Sequence, residues 1–357
     1  MTTLPDTLSA DHDYEVSDRA ALVDGPVVSI LMLAYNHSAY IAQAIEGVLA
    51  QQTDYPIELL IGEDCSNDDT RAIALRYQAA HPELIRIISA RHNVGMHRNG
   101  QRLIEASRGN FIAFCEGDDY WTDPQKLQLQ VDYLRTHADA GAVHSDFDHV
   151  LSRAGRWQAL THFQKRTRGE IPEGDIFSAL LSGNFIQTCT LCIRAELARG
   201  YLASGLPINS YAVGDWPLCL YISAQYKVGY LDRSMAGYRK VPGSAMNAGD
   251  RKRLDMVSSY ELIIEDMCTH FGTQPSIKDA ARASLYYSLS KLAFLADDIS
   301  AFEKCDRWLR ENAPLLHTRQ RQLLHWAINR GAARSVIMRL IVLRRHLNET
   351  VRYRSIK

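Results

Sequence analysis

From residue 27 onward the chain alternates short, wholly apolar runs with longer stretches of helical spacing. "VVSILMLA" (27–34) is followed by Ile41, Ala44, Ile45, Val48 and Leu49, which recur at the intervals of one helix face. "IELLIGE" (57–63) precedes polar "DCSNDDT" and a helix to about Ala80. "LIRIISA" (84–90) precedes "RHNVGMHRNG" and a helix through about Ser107, and "FIAFC" (111–115) runs straight into "EGDDYW". Apolar runs of this length without polar alternation predict strands buried on both faces. Strands joined through helices predict right-handed crossovers and a mostly parallel sheet. In such sheets the ligand crevice opens at the carboxyl ends of the strands. The clusters "AYN", "EDCSND", "HNVG" and "EGDD" all fall at those ends.

On either side of this region the pattern weakens. Residues 1–25 show no hydrophobic period and read as a loose leader. Short strands are expected near 140–145 and 185–194, a helix over 214–225, and strands over 227–240. After "PGSAMNAGD" the spacing turns helical to the end, enough for three or four helices. The predicted organisation is a leader (1–25), an α/β catalytic domain (26–245) and a C-terminal helical region (246–357).

Composition adds three points. The formal net charge of −1 offers no whole-chain field for nucleic acid, so no nucleic-acid partner is expected. Residues 319–357, however, hold ten Lys/Arg against one acid, Glu349. Around 334–345, Val336, Ile337, Leu340, Ile341 and Leu343 alternate with Arg334, Arg339, Arg344 and Arg345. Such a basic amphipathic tail suits an anionic membrane surface; packing of its apolar face on protein is the equal alternative. The seven cysteines are an odd number scattered through apolar runs, which reads as buried, reduced thiols in a cytoplasmic protein. The pair Cys189 and Cys192 has no second CxxC or spaced histidine pair to complete a zinc site, so it reads as structural. The N-terminus shows no signal sequence, and the longest apolar stretch, "VIMRLIVL", is too short to cross a membrane.

The strongest chemical signal is Glu116, Gly117, Asp118 and Asp119, directly after a buried strand. Three carboxylates in four residues repel one another, and hard oxygen ligands at an open crevice suit Mg²⁺ or Mn²⁺ carrying substrate phosphates. The competing reading, a solvated acidic turn, fits poorly with the apolar Tyr120 and Trp121 that follow. Asp64 closes the second strand, where a carboxylate can accept hydrogen bonds from a nucleobase or ribose, while Asn67, Asp68 and Asp69 read as caps of the next helix. No GxGxxG follows the first strand and no GxxxxGK[ST] occurs, which argues against dinucleotide enzymes and P-loop NTPases. The thirteen histidines show no metal-ligand spacing and read as structural or surface residues.

Five segments, "VSILMLAYNHSAYIAQAIEGVLAQQ", "ELLIGEDCSNDDT", "NVGMHRNG", "GNFIAFCEGDDYWTDPQKLQLQV" and "GDWPL", stand in the order seen in bacterial family 2 glycosyltransferases. The resemblance covers residues 27–240 and is to the branch acting in surface polysaccharide or lipopolysaccharide assembly. It implies an α/β GT-A fold (a mostly parallel sheet flanked by helices) with a C-terminal helical appendage. It also implies a nucleotide-diphosphate sugar donor, Mn²⁺ or Mg²⁺, a glycan or lipid-linked acceptor and inversion at the anomeric carbon. By this resemblance Ala34, Tyr35 and Asn36 line the nucleoside pocket, Asp64 contacts the base, and Asn93 and Gly95 shape the donor site. Glu116, Asp118 and Asp119 form the DxD-like motif, with Asp118 and Asp119 set at ribose and metal, and Asp215 falls at the catalytic base. Read from sequence alone, Asp215 fits a helix N-cap equally well. Relatives often carry a histidine in a "YRxH" segment; here Val241 stands in its place, leaving Arg239 and Lys240 to neutralise the diphosphate. The rival readings are a catalytically inactive nucleotide-sugar-binding relative and a sugar nucleotidyltransferase. The latter would want a glycine-rich loop with Arg and Lys after strand one, which is missing. The expected location is cytoplasmic, peripheral on the inner face of the cell membrane where the tail binds lipid.

Overall fold

In the computed structural model, which describes residues 13–153, 156–241, 249–314, 319–328, 330, 334, 336–341 and 354–355, the four apolar runs form paired strands. The elements are β1 (Asp13–Val16), β2 (Val28–Ala34), α1 (Ile41–Leu49), β3 (Ile57–Glu63), α2 (Thr70–Ala80), β4 (Ile85–Ala90) and α3 (Gly95–Ala106). They continue with β5 (Phe111–Phe114), β6 (Tyr120–Trp121), α4 (Lys126–Thr136), β7 (Ala140–Arg153), β8 (Arg156–Leu160), α5 (Phe163–Arg168) and α6 (Phe177–Leu181). Next come β9 (Cys192–Arg194), α7 (Ala195–Leu202), α8 (Asp215–Ser223) and β10 (Lys227–Lys240). The last five are α9 (Asp250–Ser258), α10 (Tyr260–His270), α11 (Pro275–Leu295), α12 (Ile299–Asn312) and α13 (Arg319–Ile328).

The sheet runs β1-β4-β3-β2-β5-β9-β7-β10-β6. Its centre, β4-β3-β2-β5, is parallel, and β1, β9 and β6 join antiparallel to β4, β5 and β10. Alternate residues divide between the two faces. Val28, Ile30, Met32 and Ala34 join Leu59, Ile61, Ile85 and Ile87 beneath Ile41, Ala44, Ile45 and Val48 of α1 and Leu127, Val131 and Leu134 of α4. On the other face the amide of Asn99, from α3, donates to the Gly62 carbonyl at 2.8 Å. All four aliphatic runs are buried on both sides, which is why none of them alternates.

Two segments depart from the sequence reading. Residues 13–16, inside the expected leader, form the edge strand β1, in register from Asp13↔Ala90 to Val16↔Ile87. Charge holds it there: Glu15 accepts from Arg86 at 2.9 and 3.1 Å, and Asp13 pairs with Arg98 at 2.8 Å. Residues 185–191, expected as strand, instead contain a 3₁₀ turn at Thr188–Thr190 before the short β9. Side chains satisfy the carbonyls this turn removes from a ladder: Trp121 Nε1 donates to Cys189 O at 2.9 Å and Gln130 to Thr190 O at 2.7 Å. Cys189 and Cys192 are both buried free thiols, and burial pushes Cys192 up to about 12.

The described residues divide into two compact units, one of residues 1–150, 161–176 and 185–239, the other of 151–160, 177–184 and 240–357. In the second unit α11 packs on α9, α10 and α12, around Ile263, Met267, Leu289, Phe294, Phe302 and Leu309. Leu324, Ala327 and Ile328 give α13 a buried face. Most of the basic tail beyond residue 341 lies outside the described residues. Among the described residues no helix is long and apolar enough to cross a membrane.

The amino ends of the parallel strands are tied by one buried carboxylate, Glu58. It accepts from Ser29 Oγ at 2.6 Å, Arg86 Nη1 at 3.0 Å, and both the backbone N and Nε of Arg108 at 2.8 Å. Burial raises the pKa of Glu58, but the Ser29 and Arg108 hydrogen bonds and the Arg86 charge outweigh it and hold it below the usual 4.5. A depressed folded-state pKa gives stability that is present above the unfolded value and lost as pH falls through the folded one. Glu58→Gln should therefore cost about 1–3 kcal/mol at neutral pH by weakening the charge-assisted bonds from Arg86 and Arg108, Glu15 still pairing Arg86. It should also flatten the decline of stability below pH 4.5; chemical denaturation at several pH values measures both effects.

Candidate active site

The carboxyl ends of β2, β3, β4 and β5 carry one connected set of loops. Asn36 sits at φ 55°, a left-handed conformation open to asparagine. Its N–H donates to Ser66 Oγ at 3.0 Å and its Oδ1 accepts from Asn67 N at 2.8 Å. His37 N donates to Thr70 Oγ1 at 2.7 Å, and Ser38 N to Asp68 Oδ2 at 3.0 Å. Burial raises the pKa of Asp68, but hydrogen bonds from Thr70 and Ser38 prevail and draw it down to about 2. Asp68 thus braces two loops, whereas Asp69, the N-cap residue of α2, makes no side-chain cap bond.

The residues expected at the nucleoside divide by exposure. Ala34 is buried at the end of β2, and its carbonyl accepts from Asp64 N at 3.0 Å. Tyr35 is 41% exposed on the rim and Asn36 is exposed beside it. Asp64 is only 2% exposed. Its two oxygens accept the N–H groups of Val94 and Gly95 at 2.8 and 3.0 Å, and Arg102 stands 3.9 Å away. Asp64, expected at the base, thus clamps the loop that opens α3. Gly95 needs its φ of +82°, a region that favours glycine, to present that N–H. Asn93 Oδ1 also accepts from Gly95 N, at 3.0 Å.

The acid turn is anisotropic. Asp118 is partly exposed, with its Oδ2 4.0 Å from His37 Nε2. Asp119 is 3% exposed and turns inward, its Oδ1 accepting from Arg239 N at 2.8 Å. Asp119, expected at the metal beside Asp118, forms part of the turn's foundation through that bond. Burial, then the charges of Asp118 and Glu116, hold its carboxyl well above the ordinary carboxylate range. Glu116 is pushed up to about 8, first by burial and then by the charges of Asp118 and Asp215. Its Oε2 is buried without a hydrogen-bond partner.

Arg239, expected at the diphosphate, is 5% exposed. Its Nη1 donates to the Asp118 carbonyl at 2.8 Å, its Nη2 contacts Gln43, and its guanidinium lies 4.2 Å from the Tyr120 ring centroid. It acts as the brace under the turn. Asp215 is the first residue of α8, and the N-cap is Gly214, so Asp215 is not the cap. Thr188, in the 3₁₀ turn, donates to Asp215 Oδ2 at 3.3 Å and draws the Glu116 pKa down from its raised value. His97 Nε2 donates to Tyr211 O at 2.7 Å, fixing the segment that leads into Asp215. The fold thus brings Glu116, Asp118 and Asp215 together across a hundred residues of sequence. Thr188, His97 and His37 are the neighbours that sequence reasoning missed, since none belongs to a motif with readable spacing.

Among the described residues no group of three or more His, Cys, Asp or Glu is arranged to hold a metal ion by itself. The donor set nevertheless fits a divalent cation shared with a ligand. Mg²⁺-type sites use one or two carboxylates plus substrate phosphates, and the turn offers partly exposed Asp118 beside the unpartnered oxygen of Glu116.

A parallel sheet with acidic loops at its carboxyl edge, an antiparallel continuation and C-terminal helices are the features of a GT-A fold. Residues 29–198 match the sequence profile described as glycosyl transferase family 2, and the chain carries a domain of that family. An uncharacterised protein of Mycobacterium tuberculosis is 33% identical over 213 residues, covering 60% of this chain and 58% of its own. The chain thus spans less than two thirds of that relative's length. Chondroitin synthase of Escherichia coli is 33% identical over 131 residues, 37% of this chain and 18% of its own. In three dimensions the chain is similar to the mannosyltransferase PcManGT of Pyrobaculum calidifontis, solved with GDP-Man and Mn²⁺. That match has a TM-score of 0.52 at 16% identity over 87% of this chain and 86% of that one.

The two aspartates should separate on mutation. Asp119→Ala strands the buried Arg239 N–H and should cost about 1–3 kcal/mol of stability. Asp118→Asn removes like-charge repulsion and should melt at or above the wild-type temperature while losing ligand-dependent metal binding. Thermal melts with and without Mn²⁺ and a nucleoside diphosphate check both.

Proposed function

We propose that this chain is a metal-dependent, inverting glycosyltransferase. It moves a sugar from a nucleotide-diphosphate donor, with uridine as the base, to a hydroxyl of a glycan or lipid-linked acceptor in cell-surface polysaccharide assembly. The observation that carries the reading is the convergence of Asp215, held by Thr188, on Glu116 beside partly exposed Asp118. The binary division of the site suits a displacement. Tyr35 and Asn36, with the Asn93–Gly95 loop held by Asp64, flank the nucleoside. Asp118 faces the diphosphate; the cation bound there supplies charge stabilisation for the leaving group.

Asp215 accepts the acceptor hydroxyl's proton as that oxygen attacks the anomeric carbon. Its place at the first turn of α8 favours the carboxylate through the helix dipole, and Thr188 orients it. The charge that Asp215 and Asp118 place on Glu116 favours the neutral acid there, which suits a hydrogen bond donated to a ribose or phosphate oxygen. The GDP-Man and Mn²⁺ named with PcManGT support the donor class and the metal, and the polymer named with chondroitin synthase supports the setting.

General-base catalysis contributes about 10²–10⁴-fold. Asp215→Asn should lower kcat by that order while leaving donor affinity and melting temperature near wild type. Near-normal turnover in this variant would put the base elsewhere.

A second reading concerns the C-terminal helices. Leu323, Trp326, Val336 and Leu340 are large apolar side chains left exposed, and exposed Arg330 and Arg339 accompany them. An apolar stripe beside cations suits the headgroup region of an anionic leaflet. The full-length protein should then co-sediment with phosphatidylglycerol vesicles and release at high salt. Leu323→Ser with Trp326→Ser should stay in the supernatant; co-sedimentation unchanged by these substitutions rejects the reading.

A further inference from the structure

His37 lies in the loop between β2 and α1, pinned through its backbone by Thr70 at 2.7 Å. Its imidazole rests on the acid turn. A Cβ at Gly117 would stand 2.8 Å from His37 Nδ1 and 3.3 Å from the Leu33 carbonyl, so only glycine at 117 leaves the ring its seat. Nε2 points to Asp118 Oδ2 across 4.0 Å, too far for a hydrogen bond. Nδ1 is buried with no hydrogen-bond partner. The ring is thus held against the turn by packing alone, and no hydrogen bond opposes a small rotation. Folding does not account for an imidazole here, because the loop is fixed by backbone contacts that any side chain would permit.

We propose that His37 ligates, through Nε2, the divalent cation that Asp118 holds with the donor diphosphate. The inference rests on the metal-dependent reading above and adds a protein nitrogen to that site. Two donors each about 2.1 Å from one ion stand about 3 Å apart at right angles and about 4.2 Å apart when opposite. The observed 4.0 Å falls within that span. A nitrogen donor also discriminates: Mg²⁺ demands near-ideal oxygen geometry and dehydrates reluctantly, whereas Mn²⁺, although it too suits oxygen donors, tolerates an imidazole among them. His37 therefore tilts the site toward Mn²⁺, and Gly117 is the residue that makes room for it.

The test uses the full-length protein saturated in parallel with UDP and with GDP. Mn²⁺ and Mg²⁺ affinities are measured by calorimetry, and the Mn²⁺ complex is examined by pulsed electron paramagnetic resonance for ¹⁴N coupling. Wild type should show the coupling of a coordinated imidazole. His37→Ala and the bulkier His37→Gln should lose it, bind Mn²⁺ about tenfold or more weakly, and lose less affinity for Mg²⁺. Their metal-free melting temperatures should match wild type. Gly117→Ala should abolish the coupling with His37 still present. If the His37 variants keep the coupling and the affinity while Asp118→Asn loses Mn²⁺, His37 is not a ligand and the metal reading stands. If wild type binds no Mn²⁺ with either nucleotide, both fall together.

Discussion

A turn that crowds Glu116, Asp118 and Asp119 closes on buried Arg239. Burial and the neighbouring charges at the same time favour the neutral forms of Glu116 and Asp119. At low effective dielectric, like charges this close repel by several kcal/mol, and a buried charge needs hydrogen bonds as well as a counter-charge. Arg239 supplies both, through its backbone N–H to Asp119 and its guanidinium to the Asp118 carbonyl. Tyr120 and Tyr40 flank the guanidinium at 4.2 and 5.4 Å, keeping it positioned under the turn. With Asp119 taken inward, Asp118 is left facing outward. The chemical surface of the site follows from that one division of labour.

The sheet separates stability from function by end. At the amino ends buried Glu58, Arg86 and Ser29 bond to one another and to exposed Arg108, and Glu15 extends the network to the edge strand. At the carboxyl ends the loops are braced to one another, by Asp64 on Val94 and Gly95 and by Asp68 on Ser38, while Tyr35 and Asp118 remain accessible. A rigid scaffold with raised carboxyl pKa values at one edge is the arrangement that reactive sites share. Glu116 Oε2 and His37 Nδ1, left without partners, are departures from full satisfaction at that edge.

Much of this was legible in the sequence. The runs 27–34, 57–63, 84–90 and 111–115 announced a parallel centre because strands covered on both faces have no polar alternation to show. Their polar ends named the functional rim for the same reason. What misled was local. Residues 13–16 alternate Tyr14 and Val16 with Asp13 and Glu15 over too short a run to stand out, and ion pairs hold that edge beside the packing of Val16. Residues 185–191 read as strand because Cys189 and Leu191 alternate with Thr188 and Thr190, while the Cys189 and Thr190 carbonyls are in fact satisfied by Trp121 and Gln130.

The sequence by itself determined which carboxylates stand at the crevice, since strand position and polarity are properties of neighbouring residues. Only the tertiary structure decided what each one does. Asp118 and Asp119 are adjacent and chemically identical, yet one faces outward and the other accepts from Arg239, 120 positions away. Asp64 serves a loop 30 residues on, and Thr188 reaches Asp215 from a turn no periodicity announced. His37, an unremarkable loop histidine in the sequence, acquires its place over Gly117 from packing. Orientation and pairing depend on groups brought together across the fold, and no local pattern of residues records them.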